Sequence, residues 1–132
     1  MGVFKDIEEA RAFFKGDHFA TLNGAMIKEL DDDACVCAMA LNDGHRNARG
    51  GVMGGAIFML ADFAFAVLAN NRHRYTVSES VTVHFLHGAK GNVLFAKASC
   101  RKDGRTTCIY NVDAYDDMGT DVAVFTIIGH KL

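Results

Sequence analysis

The chain has 132 residues, half of them hydrophobic, and a formal net charge of −2. That length suits one domain over residues 1–132 with a real core, and the hydrophobic share excludes a disordered chain. The near-neutral charge excludes a general affinity for nucleic acid.

Residues 3–15 place Val3, Ile7, Ala10, Phe13 and Phe14 among charged side chains. This spacing predicts an amphipathic helix, and Gly16 ends an N-terminal helical element over 1–16. Acids and bases are mixed on its polar face, which favours packing on the domain over a membrane-surface role. The first residues carry no secretory pattern, and Asp6 lacks the hydroxyl that a myristoylation signature needs.

Between Phe19 and Leu30 the pattern is irregular, with a turn at Asn23-Gly24 and a strand over 25–30. Asp31-Asp32-Asp33 reads as a solvated acidic turn; no further ligands follow at the spacing of a metal loop. A second strand over 34–41 completes the hairpin. Cys35 and Cys37 share a face of that strand, and Cys100 and Cys108 flank a turn at Asp103-Gly104. None has Cys-x-x-Cys spacing, so no metal is expected and the thiols read as reduced core residues of a cytoplasmic protein.

Asn42 to Met53 is a polar, Gly-rich loop in which His45, Arg46, Asn47 and Arg49 are candidates to face a ligand. It has no Walker Lys-Ser/Thr pair and no G-x-G-x-x-G after a strand, so the common nucleotide loops do not fit.

The stretch 54–71 dominates the sequence. Ala, Leu and Met favour helix and no proline interrupts the run. It is apolar on nearly every side, which predicts a buried core helix. Asp62, its one charge, must find partners, stay near water or shift its pKa. A membrane span is the competing reading; Gly-Gly at one end, Asp62 in the middle and strand-like flanks argue against it.

Gly54 and Gly55 stand where a capping Ser, Thr, Asp or Asn is usual. They leave the first N–H groups sterically open at the positive end of the helix, where an oxyanion is stabilised. Asp62 lies eight residues further on, about 12 Å along the axis. The two groups of one chain cannot touch one atom, so a site using both joins two chains.

Past a polar helix end at 70–74, four strand-like runs follow over 75–87, 92–102, 105–116 and 120–130. Val81, Val83 and Phe85 alternate with Thr82 and His84, which predicts an inward face made of the first three. Consecutive hairpins predict an antiparallel meander. The whole order predicts an α+β domain whose curved sheet wraps one helix. Phe58, Met59, Phe63 and Phe65 supply apolar surface that suits either the core or an acyl group.

This order, with Gly-Gly opening the central helix, resembles the hotdog fold. The string Asn47-Ala-Arg-Gly50-Gly-Val-Met53-Gly54-Gly55, then Asp62, is similar to the PaaI-type acyl-CoA thioesterases. Their pattern is Asn-x-x-Gly-x-x-His-Gly-Gly followed by an acidic residue in the helix. The resemblance runs from about residue 40 to the end, through Phe85-Leu86 and Gly104-Arg105. It implies cofactor-free hydrolysis of a small aryl- or short- to medium-chain acyl-CoA. It further implies that Gly54 and Gly55 polarise the carbonyl and that Asp62, from the partner subunit, acts as base or nucleophile. Asn47 would orient water or thioester, and Ser78, or else Ser80, would position water.

Met53 departs from the family by standing at its histidine position, and a thioether neither donates a hydrogen bond nor acts as a base. Met53 and His45 are expected at the substrate, and Arg101 and Arg105, with Lys102, at the coenzyme A phosphates. The resemblance also implies a homodimer as the minimal unit, doubled into a homotetramer. The alternative is a non-catalytic acyl-CoA binding module, favoured by Met53. A hydratase fits less well, because Val67 stands where hydratases carry a histidine and His84 lies on the outward strand face.

Overall fold

A computed structural model of the chain describes residues 2–132. Helix α1 (Ile7–Phe14) starts at Asp6, whose Oδ1 accepts the Glu9 N–H at 2.9 Å. This is a side-chain cap on the helix. Helix α2 (His18–Leu22) falls where the sequence reads as irregular; five residues are too few to display a helical period. Strands β1 (Ala25–Leu30) and β2 (Ala34–Ala40) form the expected hairpin. Asp31 Oδ1 accepts the N–H groups of Asp33 and Ala34, both at 2.8 Å, so this acidic cluster spends a carboxylate on its own turn. A short 3₁₀ turn, Asp43–His45, opens the loop into helix α3 (Gly54–Arg72). Strands β3 (Thr76–Phe85), β4 (Val93–Asp103), β5 (Thr107–Asp116) and β6 (Asp121–Lys131) complete the chain.

All six strands pair antiparallel in one sheet, in the order β1-β2-β4-β5-β6-β3. The expected meander therefore holds only for β4-β5-β6. β3 does not pair with β4; it lies at the far edge beside β6. Helix α3 carries the chain across the concave face of the sheet, and Asn70 fixes where β3 begins. Asn70 Oδ1 accepts the Thr76 N–H at 3.0 Å, and its Nδ2 donates to the Thr76 carbonyl at 3.1 Å.

The sheet wraps α3, the hotdog arrangement of one long helix in a curved antiparallel sheet. Leu60, Ala61, Ala64, Phe65, Val67 and Leu68 are fully buried in it. Each large side chain among them contributes about 1.5–3 kcal/mol. The helix is long and apolar enough to cross a membrane, but these residues are covered by the chain itself. Phe65 meets Tyr110 edge to face at 5.2 Å, and its ring tip reaches β6 where Gly129 has no side chain. A Cβ on Gly129 would stand 2.9 Å from Phe65 Cζ and 2.7 Å from Cys108 Sγ.

Candidate active site

One stripe of α3 escapes the sheet. Gly55, Phe58, Met59, Asp62 and Ala66 are exposed or half-buried at helical spacing, while the residues between them are mostly buried. The stripe begins at free backbone donors and has one carboxylate midway.

At its start, Met53 is the residue before the first helical turn, with φ −64° and ψ 136°, and its side chain makes no capping bond. The first helical bonds are from Ala56 and Ile57 N–H to the Met53 carbonyl. Among the described residues the N–H groups of Gly54 and Gly55 have no acceptor. Met53 is half exposed and its Cε lies 3.1 Å from where a Gly55 Cβ would be, so the thioether folds over the helix start. Phe85 approaches from the end of β3; its Cζ would be 3.1 Å from a Gly54 Cβ.

The loop before the helix differs from the sequence reading in one respect. His45 is buried, and both nitrogens of its ring have partners. Nδ1 accepts the Asn42 N–H at 3.2 Å and Nε2 lies 2.7 Å from the Asn23 carbonyl, which calls for the neutral tautomer protonated at Nε2. The His45 carbonyl accepts the Met53 N–H at 2.8 Å. This residue bolts the loop to the α2–β1 turn and to the helix start, and both ring nitrogens are engaged there rather than turned to a ligand. Asn47 stays exposed; its Oδ1 accepts the N–H groups of Arg49 and Gly51 at 3.0 and 3.1 Å, and Nδ2 remains a donor.

Asp62 sits between two cavities. The first lies under α2 and is lined by Asp17, Phe19, Met59 and Phe63 as well as Asp62. The second lies between α1 and the start of β3, with Asp17 again at its margin. Burial raises the Asp62 pKa above the ordinary carboxylate value; a hydrogen bond from Ser78 opposes the rise and the charge of Asp17 adds to it.

Ser78 reaches this carboxylate because of a bulge. The β3–β6 register slips between Ser78, opposite Gly129, and Ser80, opposite Ile128. The extra residue inverts the alternation. Val81 and Val83 face inward beyond it, as expected, yet Ser78 faces inward before it. Ser80 does not approach Asp62. The Asn70 clamp on Thr76 holds this strand start in place, and Asn70, Asp17, Phe13 and Tyr75, none of them a candidate from the sequence, line the cavity beside Asp62.

Arg101 and Arg105 are exposed beside the β4–β5 turn. That turn is tied to the last turn of α3, where Arg72 Nη2 meets Asp103 Oδ2 at 3.4 Å and Lys131 Nζ meets Asp103 Oδ1 at 2.6 Å. Both arginines therefore stand at the opposite end of α3 from Gly54, about 27 Å along its axis. His84 is exposed on the outer face with Asn111 and Asp113, away from Asp62.

A family model for a domain of unknown function, DUF4442, matches residues 8–128. The chain belongs to the DUF4442 family. It is 29% identical to the acyl-coenzyme A thioesterase PaaI of Escherichia coli K12, over 95% of this chain and 90% of that one. The structure of the E. coli PaaI protein from the phenylacetic acid degradation operon superposes with a TM-score of 0.88 at 28% identity. It covers 93% of this DUF4442 chain and 90% of the other. A hypothetical thioesterase from Streptococcus pneumoniae TIGR4, solved with coenzyme A, superposes at 0.81 and 26% identity over 89% and 94% of the two chains. The PaaI-type resemblance and the hotdog fold are borne out, and thioester hydrolase is the enzyme class that goes with them.

Proposed function

We propose that this DUF4442 chain hydrolyses acyl-CoA thioesters carrying small aryl or short- to medium-chain acyl groups. The observation that carries this reading is the open stripe of α3, with acceptor-free amides at Gly54 and Gly55 and a single carboxylate at Asp62 that shares a cavity with Ser78. The amides stabilise the charge that develops on the thioester oxygen. Asp62, kept basic by its surroundings, takes a proton from water as water attacks the carbonyl carbon, and the thiolate of coenzyme A departs. Asn47 Nδ2 and the Ser78 hydroxyl orient thioester and water. No metal or organic cofactor enters this reaction.

Donor and base are about 12 Å apart along one helix, so the reading requires a homodimer in which each site takes amides from one subunit and Asp62 from the other. The outer edge of β3, ten residues long and paired within the chain only to β6, is the natural seam. With α3 helices antiparallel across that seam, Arg101 and Arg105 of one subunit approach Gly54 of the other, where they suit the coenzyme A phosphates. Doubling to a homotetramer and a cytoplasmic location belong to the same reading; free Cys35, Cys37, Cys100 and Cys108 suit a reducing compartment.

Thiol release from phenylacetyl-, benzoyl-, hexanoyl- and palmitoyl-CoA tests the reaction. Mixing two inactive variants, Gly54→Pro and Asp62→Asn, tests the two-chain site. Partial recovery of turnover in the mixture is expected, since one composite site in each mixed dimer is intact. No recovery would overturn the two-chain site. Tight acyl-CoA binding without thiol release would favour the binding-module alternative, for which Met53 at the helix start is the motive.

A further inference from the structure

We infer that Phe13 of α1 and Tyr75, just before β3, are specificity-determining residues whose rings line the acyl chamber beside Asp62 and favour an aryl acyl group over a long alkyl chain. This rests on the thioesterase reading and extends it to the N-terminal helix, outside the stretch that carries the family pattern.

The chamber between α1 and β3 has Asp62 and Ser78 at one side and Phe13, Phe14, Phe65 and Tyr75 as its apolar walls. Its volume is about 330 Å³. That volume takes an aryl group with room to spare, so any preference between acyl groups rests on the character of the walls rather than on size. The two phenylalanines of α1 have different tasks. Phe14 is buried and meets Phe63 edge to face at 5.7 Å. Phe13 is 39% exposed and Tyr75 is 54% exposed, and their ring centroids are 6.3 Å apart. They form an aromatic wall left open toward the chamber.

The wall is fixed. The Arg74 guanidinium lies 4.6 Å from the Phe13 ring centre and 4.9 Å from that of Phe4. Phe14 meets Phe13 edge to face at 5.1 Å. The segment itself is tied down: Val3 N–H donates to the Asn71 carbonyl at 2.6 Å and Phe4 N–H to Asn71 Oδ1 at 3.1 Å. Arg11 donates twice to the Ile27 carbonyl, at 3.0 and 2.8 Å. An aryl group entering past Asp62 finds ring edges and faces at stacking range. A long alkyl chain gains no such ring-to-ring contact from Phe13 and Tyr75.

The test measures dissociation constants of two ketone analogues that cannot be hydrolysed, S-(2-oxo-3-phenylpropyl)-CoA and S-(2-oxoundecyl)-CoA. It pairs them with kcat/KM for phenylacetyl-CoA and decanoyl-CoA. The wild type is expected to favour the aryl member of each pair. Phe13→Ala, and independently the more exposed Tyr75→Ala, should each lower that preference about tenfold, and Phe13→Tyr should restore it. Ala66→Leu, which narrows the chamber from the helix side with a good helix former, should weaken the aryl analogue. An unchanged aryl preference in a folded Phe13→Ala or Tyr75→Ala variant, or a wild type that prefers the alkyl analogue, overturns the proposal while hydrolysis stands. The expected analogue preferences without thiol release from any ester would uphold the chamber and remove the hydrolase.

Discussion

Asp17 and Asp62 line the same two cavities, and each holds its proton more tightly than a free aspartate. Partial desolvation raises Asp17, with His18 opposing; burial raises Asp62, with Ser78 opposing and Asp17 reinforcing. If Asp62 is the base, kcat/KM falls as pH drops through its pKa. Asp17→Asn removes the reinforcing charge, so the acid limb should move to lower pH. Ser78→Ala removes the opposing hydrogen bond, so the limb should move to higher pH, and Ser80→Ala should leave it in place. A pH profile of kcat/KM for the four proteins reads all three outcomes, and shifts of the reverse sign would rule out Asp62 as the titrating group.

Asp62→Asn should separate activity from stability. Turnover is expected to fall about 10²–10⁴-fold with loss of a positioned base. Stability should move the other way. The folded value of Asp62 lies above its unfolded one, so the folded chain binds this proton more tightly. Its contribution to stability therefore increases as pH falls from the folded value toward the unfolded one, and ionised Asp62 costs stability at neutral pH. Asparagine avoids that cost and retains a polar partner for Ser78. A higher Tm at pH 7, with the gain shrinking toward pH 4, is the expected result. A lower Tm at pH 7 would mean that the carboxylate holds the fold together.

Gly54→Pro removes one amide donor and leaves the helix in place. Gly54 is the first helical residue, where proline is well tolerated, and Met53 already has the extended backbone that proline requires before it. The new ring atoms need Phe85 Cζ to give way slightly, since a Cβ there lies 3.1 Å from it. We expect near-unchanged far-UV circular dichroism and a loss in kcat of about 10²–10³-fold. Unimpaired kcat would mean that the Gly54 amide does not stabilise the developing charge.

The legible parts of this site are those with local signals. A lone carboxylate in an apolar run and a glycine pair at a helix start stand out in the sequence, and the structure places both on one open stripe. Ser78 was ambiguous with Ser80 because strand alternation puts them on one face; the bulge that separates them leaves no mark in residue type. His45 looks like a solvated loop residue until its ring meets the Asn23 carbonyl, 22 positions away. Phe13 reads as part of a packing stripe, and its role depends on Tyr75, which the fold alone brings beside it. The meander failed for the same reason: pairing β3 with β6 is decided by where α3 delivers the chain.

Asp116 offers the opposite pH response to Asp62. Burial works against its ionisation, but the N–H groups of Lys90, Gly91 and Thr120, with the Thr120 hydroxyl, more than compensate and hold its pKa well below the ordinary carboxylate range. The backbone bonds are 2.7 and 2.9 Å to Oδ2, and 2.8 Å to Oδ1, which also accepts the Met118 N–H at 3.0 Å. One side chain thus joins the β3–β4 connection to the β5–β6 turn. With the folded value depressed, the stabilisation is present above the unfolded value and is lost as pH falls through the folded one. Asp116→Asn presents an amide N–H₂ to backbone donors and should cost about 3 kcal/mol at neutral pH. Its Tm should also fall less steeply than that of the wild type below about pH 4. Parallel Tm–pH curves for the two proteins would show that Asp116 is not the carboxylate whose protonation weakens the fold in acid.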